Sequence, residues 1–281
     1  MNFAAVVFSE GQNLAVIPDG FEADYEHVAE LAAALVKAAP DAIIAGPAVA
    51  LRALQDLTHT IPLIGMSEDM VAEGVLASLA RPGGNTTGIS LLSPELDGKR
   101  QDILIEAVPG ARRIGAMADA NAAPPYHFAG TGARSTLTRR PAFDFSRQRT
   151  GRNHNFNRRR RGVQRRGVEL SGDAVVAVPG SQNNRIVLDR VAAVRLPAIL
   201  QFPEDAEAGA LAGYGPRITD LYRQRARITV QVLRGAKPTD IPVQQPDRFE
   251  LVINLKAAKA IGVEVPATLV ARADKLIDER T

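Results

Sequence analysis

Apolar positions along this chain fall into short runs of two kinds. Leu14–Ile17 and residues 41–46, 61–66, 87–92 and 113–117 are compact runs, which read as strands buried on both faces. Between them the apolar residues are spaced for a helix. Val28, Leu31, Ala32, Leu35 and Val36 share one face of a helix expected from Glu22 onward. Helices follow at 47–57, 68–80 and near 95–107, with Pro47 in a first turn and Ser67 as an N-cap. A second series begins at 173–179 (strand), 182–194 (helix), 198–202 and 211–214 (strands). A long helix carries Ile218, Leu221, Ile228 and Val232 and stops at Gly235, with Pro238 beyond. A strand at 249–254 and two helices near 255–261 and 266–279 finish the chain. Strands alternating with helices predict an α/β fold with parallel sheets and right-handed crossovers.

From about Ala122 to Gly172 neither spacing holds. Charge explains part of the change. Residues 134–166 hold twelve Arg against the single acid Asp144, a net of +11, while the rest carries 22 basic and 30 acidic residues, a net of −8. The overall +3 therefore describes an acidic globular protein with one basic segment. The chain has 281 residues, 46% of them hydrophobic, enough for one or two domains with a large core. It has no Trp and only 5% aromatics, so Ala and β-branched residues must fill the interior. No Cys is present, which excludes disulfides and thiolate metal sites. No apolar run reaches membrane-spanning length, and residues 3–8 lack the basic flank of a secretion signal.

The chain also repeats itself. Asp41–Pro47 matches Asp173–Pro179, and each is followed by a helix. Ile61-Pro62 then matches Leu196-Pro197, Glu68-Asp69 matches Glu204-Asp205, and Gly74 matches Gly209. Two lobes on one βαβ plan follow. Ligands of open parallel sheets bind beyond the carboxyl ends of the strands, near helix N-termini. The repeat thus nominates Gly46, Pro47, Ser67, Glu68 and Asp69 in one lobe, and Pro179, Gly180, Ser181, Phe202, Pro203 and Glu204 in the other. Asn121 joins this set. Between the lobes lies Leu79–Ser90, a turn of Pro82, Gly83 and Gly84 leading into a strand, with Asn85 and Thr86 as candidate rim contacts.

Small polar groups and helix N-termini suit a ligand carboxylate, and the Glu-Asp pairs suit an ammonium group; ordinary capping and first-turn dipole pairing explain the same residues. Tyr214, between two glycines, either stacks on a ligand or fills space. His27, His59, His127 and His154 have no ligand spacing, so no metal is expected, and no cofactor either. Gly130–Ser135 lacks the strand and helix of a phosphate loop. No nucleophile-elbow motif or Walker sequence is present.

Several stretches resemble a known family: Leu79–Gly88, Glu106–Gly115, Gly213–Pro216, Leu233–Pro238 and Phe249–Gly262. They are similar to ABC-transporter substrate-binding proteins of the tryptophan/tyrosine-binding-like type, over about 9–121 and 173–281. The resemblance implies a type I periplasmic-binding architecture, two Rossmann-like lobes with parallel sheets and a cleft closing on a small, amino-acid-like ligand. It implies 1–88 plus 209–243 as lobe I and 89–208 plus 244–281 as lobe II. It also implies a monomer in the periplasm that delivers to an ABC permease, and no enzymatic activity. Against the family pattern, the signal, first strand and first helix are missing before Glu10, and the Arg-rich segment replaces two units after Asn121. An out-of-frame stretch in a GC-rich gene is the simplest account of 122–172. A basic insert for nucleic acid or anionic lipid, or a plain solvated loop, are the others. A nucleic-acid-binding protein acting through 134–166 is therefore the alternative function, and an α/β enzyme, supported by fold alone, the third.

Overall fold

A computed structural model describes residues 8–16, 27–111, 114–118, 174–178 and 184–278. The expectations for Asn121, the segment 122–172, Pro179, Gly180 and Ser181 lie outside the described residues. The chain divides into two units.

The first unit is Met1–Ile89 with Tyr222–Gln244. Its sheet has the order β1 (Ile43–Ala45), β2 (Leu63–Ser67), β3 (Thr86–Ser90). β1 and β2 are parallel, with Ile43 opposite Leu63 and Ala45 opposite Gly65. Parallel neighbours need a crossover, and α2 (Ala48–Leu57) is that crossover. Its Leu51 and Leu54 pack with Leu63 and Met70, all fully buried, beside Ala32 of α1 (Val28–Lys37). Each such leucine contributes roughly 1.5–3 kcal/mol by leaving water. The Leu63 N–H donates to the Asn85 carbonyl (2.8 Å), and Gly88 lies against Gly65. The two contacts advance together, so β3 runs in the direction of β2. The returning segment lies along β3, where the Gln244 N–H donates to Gly88 and the Thr87 hydroxyl to Ile241.

The second unit is Ser90–Leu221 with Gln245–Thr281. Its sheet follows chain order: β4 (Ile114–Ala118), β5 (Ala174–Val178), β6 (Ala198–Leu200), β7 (Ala212–Gly215), β8 (Glu250–Asn254) and β9 (Lys275–Ile277). Every pair is parallel except β7–β8. Successive side chains of a strand point to opposite faces, and β6 shows both faces covered. Ala198 and Leu200 pack with Val187, Leu188 and Val191 of α4 (Asn184–Ala193), whereas Ile199 packs with Ile103 and Leu104 of α3 (Ser93–Ala107). α5 (Pro203–Glu207), α7 (Leu255–Ile261) and α8 (Ala267–Val270) complete this unit, and α6 (Ile218–Leu233) starts here and belongs to the first unit from Tyr222 on.

The expected repeat is visible as β1–α2–β2 and β5–α4–β6, each followed in its sheet by a third strand, β3 or β7. Four expectations change. Residues 68–80 are not a helix: Asp69 Oδ1 accepts the Val71 and Ala72 N–H groups, both at 3.0 Å, and Gly74 at φ +70° closes a turn. Met70, Val75 and Leu76 still reach the core, along an irregular path. Leu14 makes only an isolated bridge to Glu10 rather than a strand. The last helix stops at Val270, because Asp274 exchanges hydrogen bonds with Leu251 (2.7 and 2.9 Å) and draws β9 onto β8. Residues 209–221 group with the second unit, not with lobe I, since β7 is paired on both sides there.

The third strand of each repeat, β3 or β7, comes so close to the second, β2 or β6, that only glycine fits. A Cβ at Gly88 would collide with the Gly65 carbonyl, and one at Gly213 with the Phe202 carbonyl. Gly88 also has φ +147°. Gly98, inside α3, has open space around it. Gly88→Ala and Gly213→Ala should each lower unfolding stability by about 2–4 kcal/mol. Gly98→Ala should raise it by about 0.5–1 kcal/mol. Urea denaturation of the three variants checks the contrast.

Candidate functional site

In the first unit β1 ends at Ala45, and Gly46-Pro47 turns the chain into α2. Gly46 is needed because a Cβ there would strike the Met66 carbonyl at the end of β2. The Pro47 carbonyl accepts from Ala50 and Leu51 (3.0 and 3.3 Å), and α2 carries no acid in its first turn and no side-chain cap. Its N-terminal partial positive charge is thus left to the strand-end rim. Ser67, the last residue of β2, is buried beside that rim, followed by the half-buried Glu68. Gly46, Pro47, Ser67 and Glu68 therefore gather at the carboxyl ends of adjacent parallel strands.

Asp69 stands next to them, but one of its oxygens is engaged by the turn N–H groups. Behind it lies a carboxylate that the helical expectation for 68–80 concealed. Glu73 is 6% exposed, and its Oε2 accepts the Asp69 N–H (3.2 Å). Burial pushes its pKa up; the Ser67 hydroxyl, the Asp69 N–H and Arg52 work against that, while the Asp69 charge adds to it. Arg52 itself reaches the Glu73 carbonyl (2.5 Å).

Asn85 and Thr86 are at the other end of the sheet. Asn85 Nδ2 donates to the Thr58 and Ile61 carbonyls (3.0 and 2.7 Å), and the buried Thr86 hydroxyl accepts from Gln55 (2.9 Å). They open β3 beside the start of β2 and secure the loop entering it, so they are not rim contacts of the strand ends that carry Ser67.

In the second unit the described part of the rim is residues 201–204 with Tyr214. Phe202 is 5% exposed and exchanges hydrogen bonds with Asp205, whose Oδ2 accepts the Phe202 N–H (2.9 Å). Glu204 turns one oxygen toward α6, and its buried Oε2 has no hydrogen-bond partner among the described residues. Its Oε1 accepts the Ile218 N–H (3.1 Å) and lies 3.8 Å from Arg217. Arg217 is a hub that also meets Glu250 (2.7 Å) and Glu207 (3.0 Å), and Lys275 joins Glu207 (2.9 Å). Burial would raise the Glu207 pKa, but Lys275 and Arg217 together hold it below the ordinary value. Tyr214 is half-buried with its ring against the cluster of Ile103, Leu104 and Leu251, which favours the space-filling reading. Its carbonyl accepts from Arg100 Nε (2.9 Å). Arg100 and Gln201, both fully buried, are the polar groups of this rim that periodicity did not single out.

Comparisons with known proteins agree with this architecture. A family model described as "ABC transporter substrate binding protein" matches residues 7–124 and 176–277. A curated relative, the "Tyrosine-binding protein" of Clostridioides difficile (strain R20291), is 23% identical over 275 residues, covering 92% of this chain and 73% of the relative. Among solved structures, an ABC domain in complex with L-Trp from Streptococcus pneumonia superposes with a TM-score of 0.70 at 20% identity, covering 90% of this chain and 86% of that one. A conserved domain protein from Vibrio cholerae O1 biovar El Tor reaches 0.75 at 20% identity, covering 96% and 89%. At these identities the superpositions establish the fold.

Glu73 supplies a test of the first rim. A carboxyl whose folded pKa is raised binds its proton more tightly when folded, so its contribution to stability is full at low pH and lost as pH rises from the ordinary glutamate range through the raised value. Glu73→Gln keeps an acceptor for the Asp69 N–H and carries no charge. It should flatten that fall and leave the protein at least as stable at neutral pH. Thermal melts of both forms across the acidic range measure it.

Proposed function

The chain belongs to the ABC transporter substrate binding protein family, and from that premise we propose that it captures an amino acid, of aromatic type, outside the cytoplasm and passes it to the membrane permease of an importer. The observation that carries the reading is the family match on both sides of the Arg-rich segment, joined to relatives described as tyrosine-binding and as a complex with L-Trp. The role is binding without chemistry, by a monomer. On the first unit the proposed contacts are Gly46, Pro47, Ser67 and Glu68, with Asp69 adjoining, around the N-terminus of α2, which suits a carboxylate. On the second they are Phe202, through its backbone, and the half-buried Tyr214, beside the ends of β6 and β7. Asn121, Pro179, Gly180 and Ser181 remain proposed contacts on sequence grounds. Glu204 gives Oε1 to α6, while its buried Oε2 has no hydrogen-bond partner among the described residues, so Glu204 also remains a proposed contact.

The nucleic-acid alternative rests on the composition of 134–166 alone. That stretch lies outside the family match.

The absence of Trp makes the test direct. Excited at the red edge of indole absorption, where the four tyrosines are silent, only added L-tryptophan emits. Saturable binding with a blue-shifted emission is expected, together with competition by L-tyrosine. A titration in which L-tryptophan emission never departs from that of the free amino acid, with no heat of L-tyrosine binding in calorimetry, would rule out the aromatic ligand.

A further inference from the structure

Arg100 is the most completely buried charged side chain among the described residues, at 0% exposure. Taking a guanidinium out of water is expensive, and a single ion pair seldom repays it in stability. Its carboxylate partner is one turn away on the same helix: Asp97 Oδ1 to Nη1, 2.7 Å, with Asp97 itself 4% exposed. Burial pushes the Asp97 pKa up while Arg100 holds it down. A pair so placed joins nothing within α3 that the helix does not already join. Its second bond is the informative one. Nε donates to the Tyr214 carbonyl at 2.9 Å, so one rigid plane is fixed at Nη1 by α3 and at Nε by the end of β7.

The strand end held in this way is tightly constrained. Tyr214 lies between Gly213 and Gly215, whose Cβ positions would collide with the Phe202 and Gln201 carbonyls. Arg100 Nη2 comes within 3.5 Å of the Cβ position at Gly215. The guanidinium therefore packs against the end of β7, at Tyr214, one of the residues proposed above as ligand contacts, and beside Gly215, which itself abuts the Gln201 carbonyl. It also links α3, soon after the chain enters this unit at Ser90, to the strand before α6, along which the chain leaves it.

We propose that Arg100, braced by Asp97, is a positioning residue that sets the Gln201–Phe202 and Tyr214–Gly215 strand ends in the geometry the ligand requires. This rests on the receptor reading. It predicts that weakening the brace changes ligand affinity in protein that remains folded, which a purely structural salt bridge would not do.

The test uses the full chain carrying Arg100→Lys, and separately Asp97→Asn, which keeps an acceptor of the same shape for Nη1. L-tryptophan is the probe, read by its own fluorescence, with sites per folded molecule measured alongside. For Arg100→Lys the dissociation constant should rise about tenfold, the worth of one charge-assisted hydrogen bond, with the number of sites unchanged and the bound emission shifted toward that of free ligand. For Asp97→Asn a rise of about threefold is expected, and this variant decides the matter if Arg100→Lys does not fold. An unchanged dissociation constant and bound emission in a folded variant overturns the proposal, however far its melting temperature falls. If the wild type takes up neither L-tryptophan nor L-tyrosine, the aromatic-receptor reading fails by itself. Hydrogen exchange then decides the brace: faster exchange confined to the amides of Tyr214–Arg217 supports it, and an unchanged pattern sinks it.

Discussion

Parallel strands can be neighbours only if the chain crosses over between them, and the crossover must bury one face of its own helix. That constraint organises both units. In the first, α2 returns the chain from β1 to β2; in the second, α4 returns it from β5 to β6. Each crossover leaves strand carboxyl ends and a helix N-terminus on the same side. The rims, with Gly46 and Ser67 in the first unit and Phe202 in the second, are thus a by-product of parallel pairing, available in each unit before any side chain is chosen for a ligand.

Most charged groups near the two rims are engaged in building them. Asp69 and Asp205 tie down the turns after β2 and β6, Glu73 supports the first of those turns, and Glu204 starts α6. What is left to meet a ligand is backbone, the start of α2, Ser67, Glu68, the second oxygen of Glu204 and the half-buried Tyr214. A small zwitterion suits such a surface better than a phosphate ester would, because no cluster of basic side chains faces it among the described rim residues. Specificity then depends on where strand ends are held, and the buried Arg100 matters because it holds one of them.

Much of the fold was legible because buried parallel strands read as short apolar runs whatever their context. The failures have local causes. Met70, Val75, Leu76 and Leu79 are spaced well enough for a helix, but the Asp69 carboxylate offers the backbone a turn instead, and the same apolar residues reach the core without helical hydrogen bonds. Lys275–Ile277 is a strand only because Leu251 and Asp274 pair, a contact no local spacing reveals. The strand ends that make up the candidate site were legible as positions in the fold, and the individual role of each side chain was not. Asn85 and Glu204 are polar residues next to strands, and sequence does not say that one secures the loop entering β2 and the other caps a helix fourteen positions on.

The Arg-rich segment bears on the same logic. β4 and β5 pair through the full length of both strands, Ile114 opposite Ala174 and Ala118 opposite Val178, although residues 119–173 intervene. Closing a longer connection costs only about 0.6 kcal/mol for each doubling of its length. A parallel pair with five matched positions repays several doublings through its ladder and the helices that cover it. Register in this sheet is therefore set by β4, β5 and their neighbours, and is insensitive to what the chain does between them. The family match stops and restarts near these two strands. Sequence inside the connection can depart from any pattern, its charge included, while the sheet that carries the second rim keeps its order.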